Sequence, residues 1–290
     1  MVYEFTSLRV QTFFGFSRLN ILKVKFYFDL FILLGFGVLV FGIYEMKVFK
    51  NIFCRIWAVW GIVVFAVTLL IVLLPICLTY LIPEPNGIRA FAFISRQWMR
   101  VFLGLIGCPF KFYGKENFKK GENYVVICNH NSLMDVPLST PFLPGGNKTI
   151  AKKSMSKIPL FGWVYTRGSV LVDRGSDESR RKSFKDMKTV LQQGLNMVIY
   201  PEGTRNRTGQ PLKSFYDGAF KLAVEEGKNV VPVCIFGTAK ALPSTKAFYL
   251  QPTFLKVHIL PPVLVSGKTV AELKQECFDV MWTKIKGFED

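Results

Sequence analysis

The chain has 290 residues, with 37 Lys and Arg against 20 Asp and Glu, a formal net charge of +17, and half of its residues hydrophobic. That apolar fraction excludes intrinsic disorder, and the length excludes a small disulfide scaffold. A basic nucleic-acid-binding domain is rarely so apolar, so the composition points to a membrane-bound protein that faces anionic lipid or handles an anionic substrate, with no nucleic acid as partner.

Two uncharged runs come first, at residues 30–44 and 56–83. A bilayer core needs about 20 helical residues at about 1.5 Å each, so the second run is long enough to span, with tilt or a kink at Pro75. The first run is marginal, and an interfacial or re-entrant helix fits it as well. Neither looks like a cleaved signal peptide: the first begins far from Met1, and its exit, Gly42-Ile43-Tyr44-Glu45-Met46, has no small-x-small site. Flanking charges lean slightly toward a cytoplasmic globular part, and leave open both a spanning pair and a hairpin dipping into one leaflet. The expected division is a membrane-associated helical region, 1–89, followed by an α/β domain, 90–290.

From about residue 90, runs rich in Val, Ile, Phe and Tyr predict strands at 109–113, 124–128, 169–172, 197–200, 230–235 and 255–260. Ser176 suits an N-cap, with Asp177 and Glu178 in the first turn and Phe184, Met187 and Leu191 at helical spacing. A last helix is expected over 270–284. Strand and helix alternate, which predicts an α/β fold: a central sheet with flanking helices, preceded by the N-terminal helical region. The six cysteines are scattered with no C-x-x-C, and read as reduced, buried thiols of a reducing compartment. Two histidines, His130 and His258, are too few for a histidine-rich metal site, and no metal is expected.

Three segments carry chemistry. Asn129-His130-Asn131-Ser132-Leu133-Met134-Asp135 follows a predicted strand. There Asp135 can accept the Nδ1 proton of His130 and leave Nε2 as a general base. No G-x-S-x-G serine accompanies the pair, and Ser132 suits a helix cap better than a nucleophile. In the second segment a short strand, 169–172, delivers Arg174, a residue suited to bidentate phosphate binding or to a salt bridge with Asp173. The third, Pro201-Glu202-Gly203-Thr204-Arg205-Asn206-Arg207, follows another strand. Its glycine permits close backbone approach to a ligand, although such residues also make ordinary polar loops. The stripe Arg181, Lys185, Lys188 reads as a solvated helix face or as a contact for anionic headgroups.

Together these segments resemble the glycerolipid acyltransferase family, and among its members the bacterial-type 1-acyl-sn-glycerol-3-phosphate acyltransferases. The likeness rests on Asn129-His130 with Asp135, on 152–174, on Pro201-Glu202-Gly203-Thr204-Arg205 and on Val231-Pro232-Val233, and covers roughly 85–265. It implies transfer of an acyl chain from a thioester, acyl-CoA or acyl carrier protein, to the sn-2 hydroxyl of lysophosphatidic acid, giving phosphatidic acid at the cytoplasmic side of the cell inner membrane. No bound cofactor is implied; the acyl donor is a substrate, and membrane lipids are partners. By the same resemblance His130 and Asp135 are catalytic; Lys152, Arg174 and Arg205 cradle the acceptor phosphate; Glu202, Gly203 and Thr204 belong to the substrate-binding loop. Family members often carry a basic residue before the glycine after the third block, where this chain has Asp217; Lys213 is a substitute for it. Another acceptor (glycerol 3-phosphate or a different lysolipid) and a non-catalytic lipid-binding protein are the alternatives.

Overall fold

The computed structural model describes the backbone of residues 18–173 and 175–288, with side chains from Met46 onward. The chain divides into two compact units, Met1–Phe53 and Cys54–Asp290. The run 30–44 lies outside the residues whose side chains are described, and Arg174 lies outside the described residues altogether.

Helix α1 (Arg18–Leu78) continues through Pro75 and ends in a short tight turn, Thr79–Leu81. Within it, Met46–Leu81 is long and apolar enough to cross a membrane. From Cys54 onward one face of this helix is buried: Ala58, Val64, Leu69 and Ile76 join Trp98, Met99, Phe102 and Leu103 of α2 (Asn86–Leu105) in one core. Trp57 Nε1 donates to Ile106 O at 2.9 Å, and Trp98 Nε1 to Thr68 Oγ1 at 2.9 Å, so the indoles keep hydrogen bonds while burying their rings. The other face of the same stretch, with Ile56, Val63, Ile71 and Leu74, is apolar and exposed; Ile71 is 68% exposed. An apolar face of that extent in contact with solvent marks an interaction surface.

A buried arginine fixes the turn between α1 and α2. Arg167, 6% exposed, donates to Thr79 Oγ1 at 3.0 Å and Thr79 O at 2.7 Å, and pairs with Glu84. Its guanidinium lies 4.8 Å from the centroid of the Tyr80 ring. Gly87 makes room for it, because a Cβ there would stand 2.2 Å from Arg167 Nη2 and 2.4 Å from Ile82 O.

The sheet has seven strands in the order β1-β7-β6-β2-β5-β3-β4. In chain order they are β1 (Phe110–Tyr113), β2 (Val125–Cys128), β3 (Asn147–Lys152), β4 (Ser169–Val172), β5 (Asn196–Ile199), β6 (Val230–Phe236) and β7 (Leu255–Ile259). All neighbours are parallel except β6 and β7. Helices α3 (Asp135–Ser139), α4 (Phe161–Arg167), α5 (Asp177–Gln192), α6 (Gly218–Glu225), α7 (Thr238–Ala241) and α8 (Val270–Lys286) complete the domain. β2 is buried along its whole length, as expected of a parallel strand covered on both faces. Its Val126 and Cys128 enter the core shared with α1 and α2, and Val125 and Ile127 the core under α5, α6 and α8.

The six predicted strands are present with ends shifted by at most a residue, and β3 is an addition to them. The Ser176 cap is formed, its side chain accepting from Ser179 N, and Met187 and Leu191 are buried under α5. Helix α8 begins in a reciprocal capping box between Thr269 and Glu272. All six cysteines are free, and five of them are buried.

Leu103 is fully buried between α1, α2 and the sheet. Leu103→Ala is expected to destabilise the domain by about 2–5 kcal/mol, measured by denaturant unfolding in detergent.

Candidate active site

The chain crosses from β5 through α6 to β6, stepping over β2, so the carboxyl ends of β5, β2 and β6 meet at a change of strand direction. Open α/β sheets bind ligands at such a place. His130 follows β2 and Glu202 follows β5 at this edge.

His130 Nδ1 lies 2.8 Å from Asp135 Oδ2. The same oxygen accepts the backbone N–H of Asn131 at 2.7 Å and of Ser132 at 2.8 Å. An oxygen facing three nitrogens is an acceptor, so Nδ1 carries the proton and Nε2 keeps its lone pair. Asp135 is 1% exposed and the imidazole 18%, which leaves the ring reachable and its orienting carboxylate sealed. Asp135 Oδ1 accepts no hydrogen bond among the described residues. The ring packs against Tyr200 at a centroid distance of 4.6 Å. The Tyr200 hydroxyl is 2.8 Å from Ser139 Oγ, and burial, then Cys128 and Asp135, push its acidity well below that of an ordinary phenol.

The backbone of His130 is held as firmly as its side chain. Its N–H donates to Glu202 Oε1 at 2.7 Å, and its carbonyl accepts from Asn206 N at 2.6 Å. Glu202 is 0% exposed, and its other oxygen, Oε2, accepts Lys213 N at 3.0 Å. Burial raises the Glu202 pKa above the usual carboxylate range, and the two backbone N–H donors oppose that rise. Asn129 performs a similar service one residue earlier: its amide donates to Ile235 O at 3.0 Å and accepts from Ile235 N at 2.7 Å. The motif asparagine thus extends the pairing of β2 with β6 by one side chain.

Gly203 has φ of +71°, the left-handed backbone that lets the chain turn after β5. Thr204 is exposed, and its Oγ1 accepts Lys213 Nζ at 3.1 Å. Arg205 is half-buried in the same loop. Lys152 closes β3, beside β5, and is exposed. The structure therefore joins His130, Asp135 and Glu202 in one hydrogen-bonded cluster and sets Thr204 and Lys213 beside it. Ser132 is not a helix cap: its buried hydroxyl donates to Leu242 O at 2.7 Å and accepts from Met134 N at 3.1 Å, and α3 begins only at Asp135. Asp217 turns to α8, where its carboxylate meets Lys274 at 2.6 Å. Of the basic stripe, Lys188 is engaged by Glu225 and Glu226. Neither Tyr200 nor Asn206 is singled out by the sequence, although Tyr200 precedes the third segment and Asn206 lies within it.

A histidine whose Nδ1 faces a sealed carboxylate, at the carboxyl edge of an α/β sheet, is an arrangement chemically able to take a proton from a hydroxyl. The acyltransferase family model matches residues 109–236. A 1-acyl-sn-glycerol-3-phosphate acyltransferase of Salmonella typhimurium is 33% identical over 175 residues, covering 57% of this chain and 69% of that protein. One from Cocos nucifera is 33% identical over 166 residues, and this chain spans 53% of its length. The chain spans about half the length of the plant and algal relatives it matches, down to 46% for that of Chlamydomonas reinhardtii. The crystal structure of the 1-acyl-sn-glycerophosphate (LPA) acyltransferase PlsC from Thermotoga maritima is 22% identical, with a TM-score of 0.71 over 83% of this chain and 99% of that one, and shares the fold. The chain belongs to the glycerolipid acyltransferase family.

Glu202→Gln leaves one of the two buried N–H groups facing an amide nitrogen. The expected cost is about 1–3 kcal/mol of stability, read by denaturant unfolding in detergent; unchanged stability would return Glu202 to a purely ligand-binding role.

Proposed function

We propose that the protein transfers an acyl chain from a thioester to the sn-2 hydroxyl of 1-acylglycerol 3-phosphate, giving phosphatidic acid. The observation that carries this reading is the 2.8 Å contact between His130 Nδ1 and Asp135 Oδ2, in a chain of this family. His130 Nε2 takes the proton of the acceptor hydroxyl as its oxygen attacks the thioester carbonyl. Asp135 steadies the imidazolium that forms. The C–S bond then breaks, and the imidazolium returns its proton to the departing thiolate. General-base help of this kind is worth ~10²–10⁴-fold in rate. The remainder comes from positioning and from N–H donors to the tetrahedral oxyanion, for which the loop after Gly203 is the proposed source.

Lys152, Arg174 and Arg205 hold the acceptor phosphate in this reading, and Gly203 and Thr204 shape the loop beside it. Glu202 acts through the backbone of His130. The donor is acyl-CoA or an acyl carrier protein. Residues 1–89 serve as the membrane-associated region and 90–290 as the acyltransferase domain on the cytoplasmic side. The exposed apolar face of α1 supports membrane attachment. Mass spectrometry of products from detergent-purified enzyme, offered a panel of lysolipids and both donors, tests the assignment; no diacyl product from 1-acylglycerol 3-phosphate would refute it.

His130→Ala is expected to abolish thiol release while leaving the unfolding curve intact. Asp135→Asn is expected to lower kcat ~10²-fold or more with little change in KM, because the orienter acts on the transition state. Arg205→Ala is expected to raise the acceptor KM for phosphomonoester lipids about tenfold, the scale of one charged hydrogen bond. An equal defect with acceptors lacking a phosphomonoester would remove Arg205 from the phosphate site.

A further inference from the structure

A cleft of about 280 Å³ opens beside His130 at the carboxyl edge of the sheet. Its walls come from three neighbouring strand ends: Asn131 after β2, Asn206, Arg207 and Gln210 after β5, and Ser244 and Thr245 after β6 and α7. Two of these residues touch the catalytic pair directly. Asn131 N–H donates to Asp135 Oδ2 at 2.7 Å, and Asn206 N–H to His130 O at 2.6 Å. The third wall is tied in as well, since Ser132 Oγ donates to Leu242 O, just before it. The loop after β5 is held in shape by Asn206, whose Nδ2 donates to Gln210 O at 2.8 Å and whose Oδ1 accepts from Thr208 N at 2.9 Å.

The chemistry of this cleft is distinctive. Its lining carries amides, hydroxyls and one charge, Arg207, with no carboxylate. Lys152, Thr204, Arg205 and Lys213 do not line it. Its apolar lining comes from Gly209, Ala239, Pro243 and the stems of its polar side chains, so it offers no long hydrophobic wall to an acyl chain, and it lies apart from the residues assigned to the acceptor phosphate.

We propose that this cleft binds the phosphopantetheine arm of the acyl donor, with Arg207 on its phosphate and the side-chain amides and hydroxyls of Asn131, Gln210, Ser244 and Thr245 along its two amide groups. The inference rests on the acyl-transfer reading above and deepens it. Acyl-CoA and acyl carrier protein share this arm, with the thioester at its end. An arginine fork matches a phosphate bidentately, and neutral amides and hydroxyls match amides without a charge to desolvate. A volume near the lower end of the ~300–1,000 Å³ of small-molecule sites suits a narrow, unbranched arm entering from solvent. The thioester carbon is thereby delivered to the flank of His130 through Asn131 and Asn206. The acceptor oxygen approaches Nε2 from the side of Thr204 and Arg205.

The test compares three donors of one acyl chain: acyl-CoA, acyl carrier protein, and the S-acyl-N-acetylcysteamine thioester, which lacks the phosphate. Arg207→Ala is expected to raise the donor KM about tenfold for the two phosphopantetheine donors and to lower their kcat/KM relative to the truncated donor by the same factor. Arg207→Lys is expected to recover part of that preference. A rise for acyl-CoA alone would give the cleft to the nucleotide and overturn the assignment. A rise in acceptor KM, or no change with any donor, would also overturn it. Equilibrium binding of 4′-phosphopantetheine needs no turnover: about tenfold weaker binding by Arg207→Ala supports the cleft, and equal binding refutes it. Absence of thiol release by the unsubstituted enzyme with every donor would refute the acyl-transfer reading, while this binding measurement still decides the cleft.

Discussion

The architecture of the site depends on one buried carboxylate. Glu202 has no solvent-exposed surface, and its two oxygens join the backbone of His130 to the backbone of Lys213. Burying a carboxylate is unfavourable unless it is hydrogen-bonded. Two charge-assisted bonds to N–H groups, each worth about 1.5–3 kcal/mol, offset that cost. The consequence is geometric. The end of β2, which carries His130, and the loop after β5, which carries Thr204 and Arg205, cannot move independently. The Asn206 N–H on His130 O closes the same connection from the other side. His130 is thus fixed by its ring, through Asp135, and by its main chain, through the third segment.

The face on which this happens also matters. Tyr200, Val126, Cys128 and Met134 belong to the core that contains Ala58, Val64, Trp98 and Phe102. The imidazole that packs against Tyr200 therefore lies on the side of the sheet covered by α1 and α2. The α1 residues that do not enter this core form an exposed apolar face. Arg167 and Glu84 lock the turn at the end of α1 to α4, so from Cys54 onward that helix is a structural part of the domain. Under the proposed function, a lipid acceptor held at that apolar face would meet His130 without crossing the sheet.

Much of this was legible in the sequence, and the reasons for what was not are physical. Strands β2, β5 and β6 are buried on both faces, so they read as mostly apolar runs containing Val and Ile. β3 has the sequence Asn147-Lys148-Thr149-Ile150-Ala151-Lys152, and Asn and Lys are poor strand formers. Its conformation comes from pairing with β5 and β4 and not from its own preference. Helix α2 carried a signal in Ile88, Ala92, Ser95, Met99 and Phe102 at helical spacing. That stripe becomes decisive only when α1 is present to cover it. The His130 and Asp135 pair was legible because both groups are side chains at close sequence spacing. The work of Glu202 was not, because its partners are backbone amides, and no residue identity records which N–H a carboxylate will meet.

The same distinction separates the two arginines of the third segment. Arg205 and Arg207 look equivalent in sequence, two forks in one polar loop. The fold gives them different surroundings, because Asn206 between them is fastened to the His130 carbonyl and divides the loop. Arg207 lines a cleft built with the ends of β2 and β6, and Arg205 does not. A reaction between a lipid alcohol and a water-soluble thioester needs two anion-recognising groups that do not compete for one ligand. In the proposed reading, a single anchored residue separates them, and each substrate lies on its own side of His130.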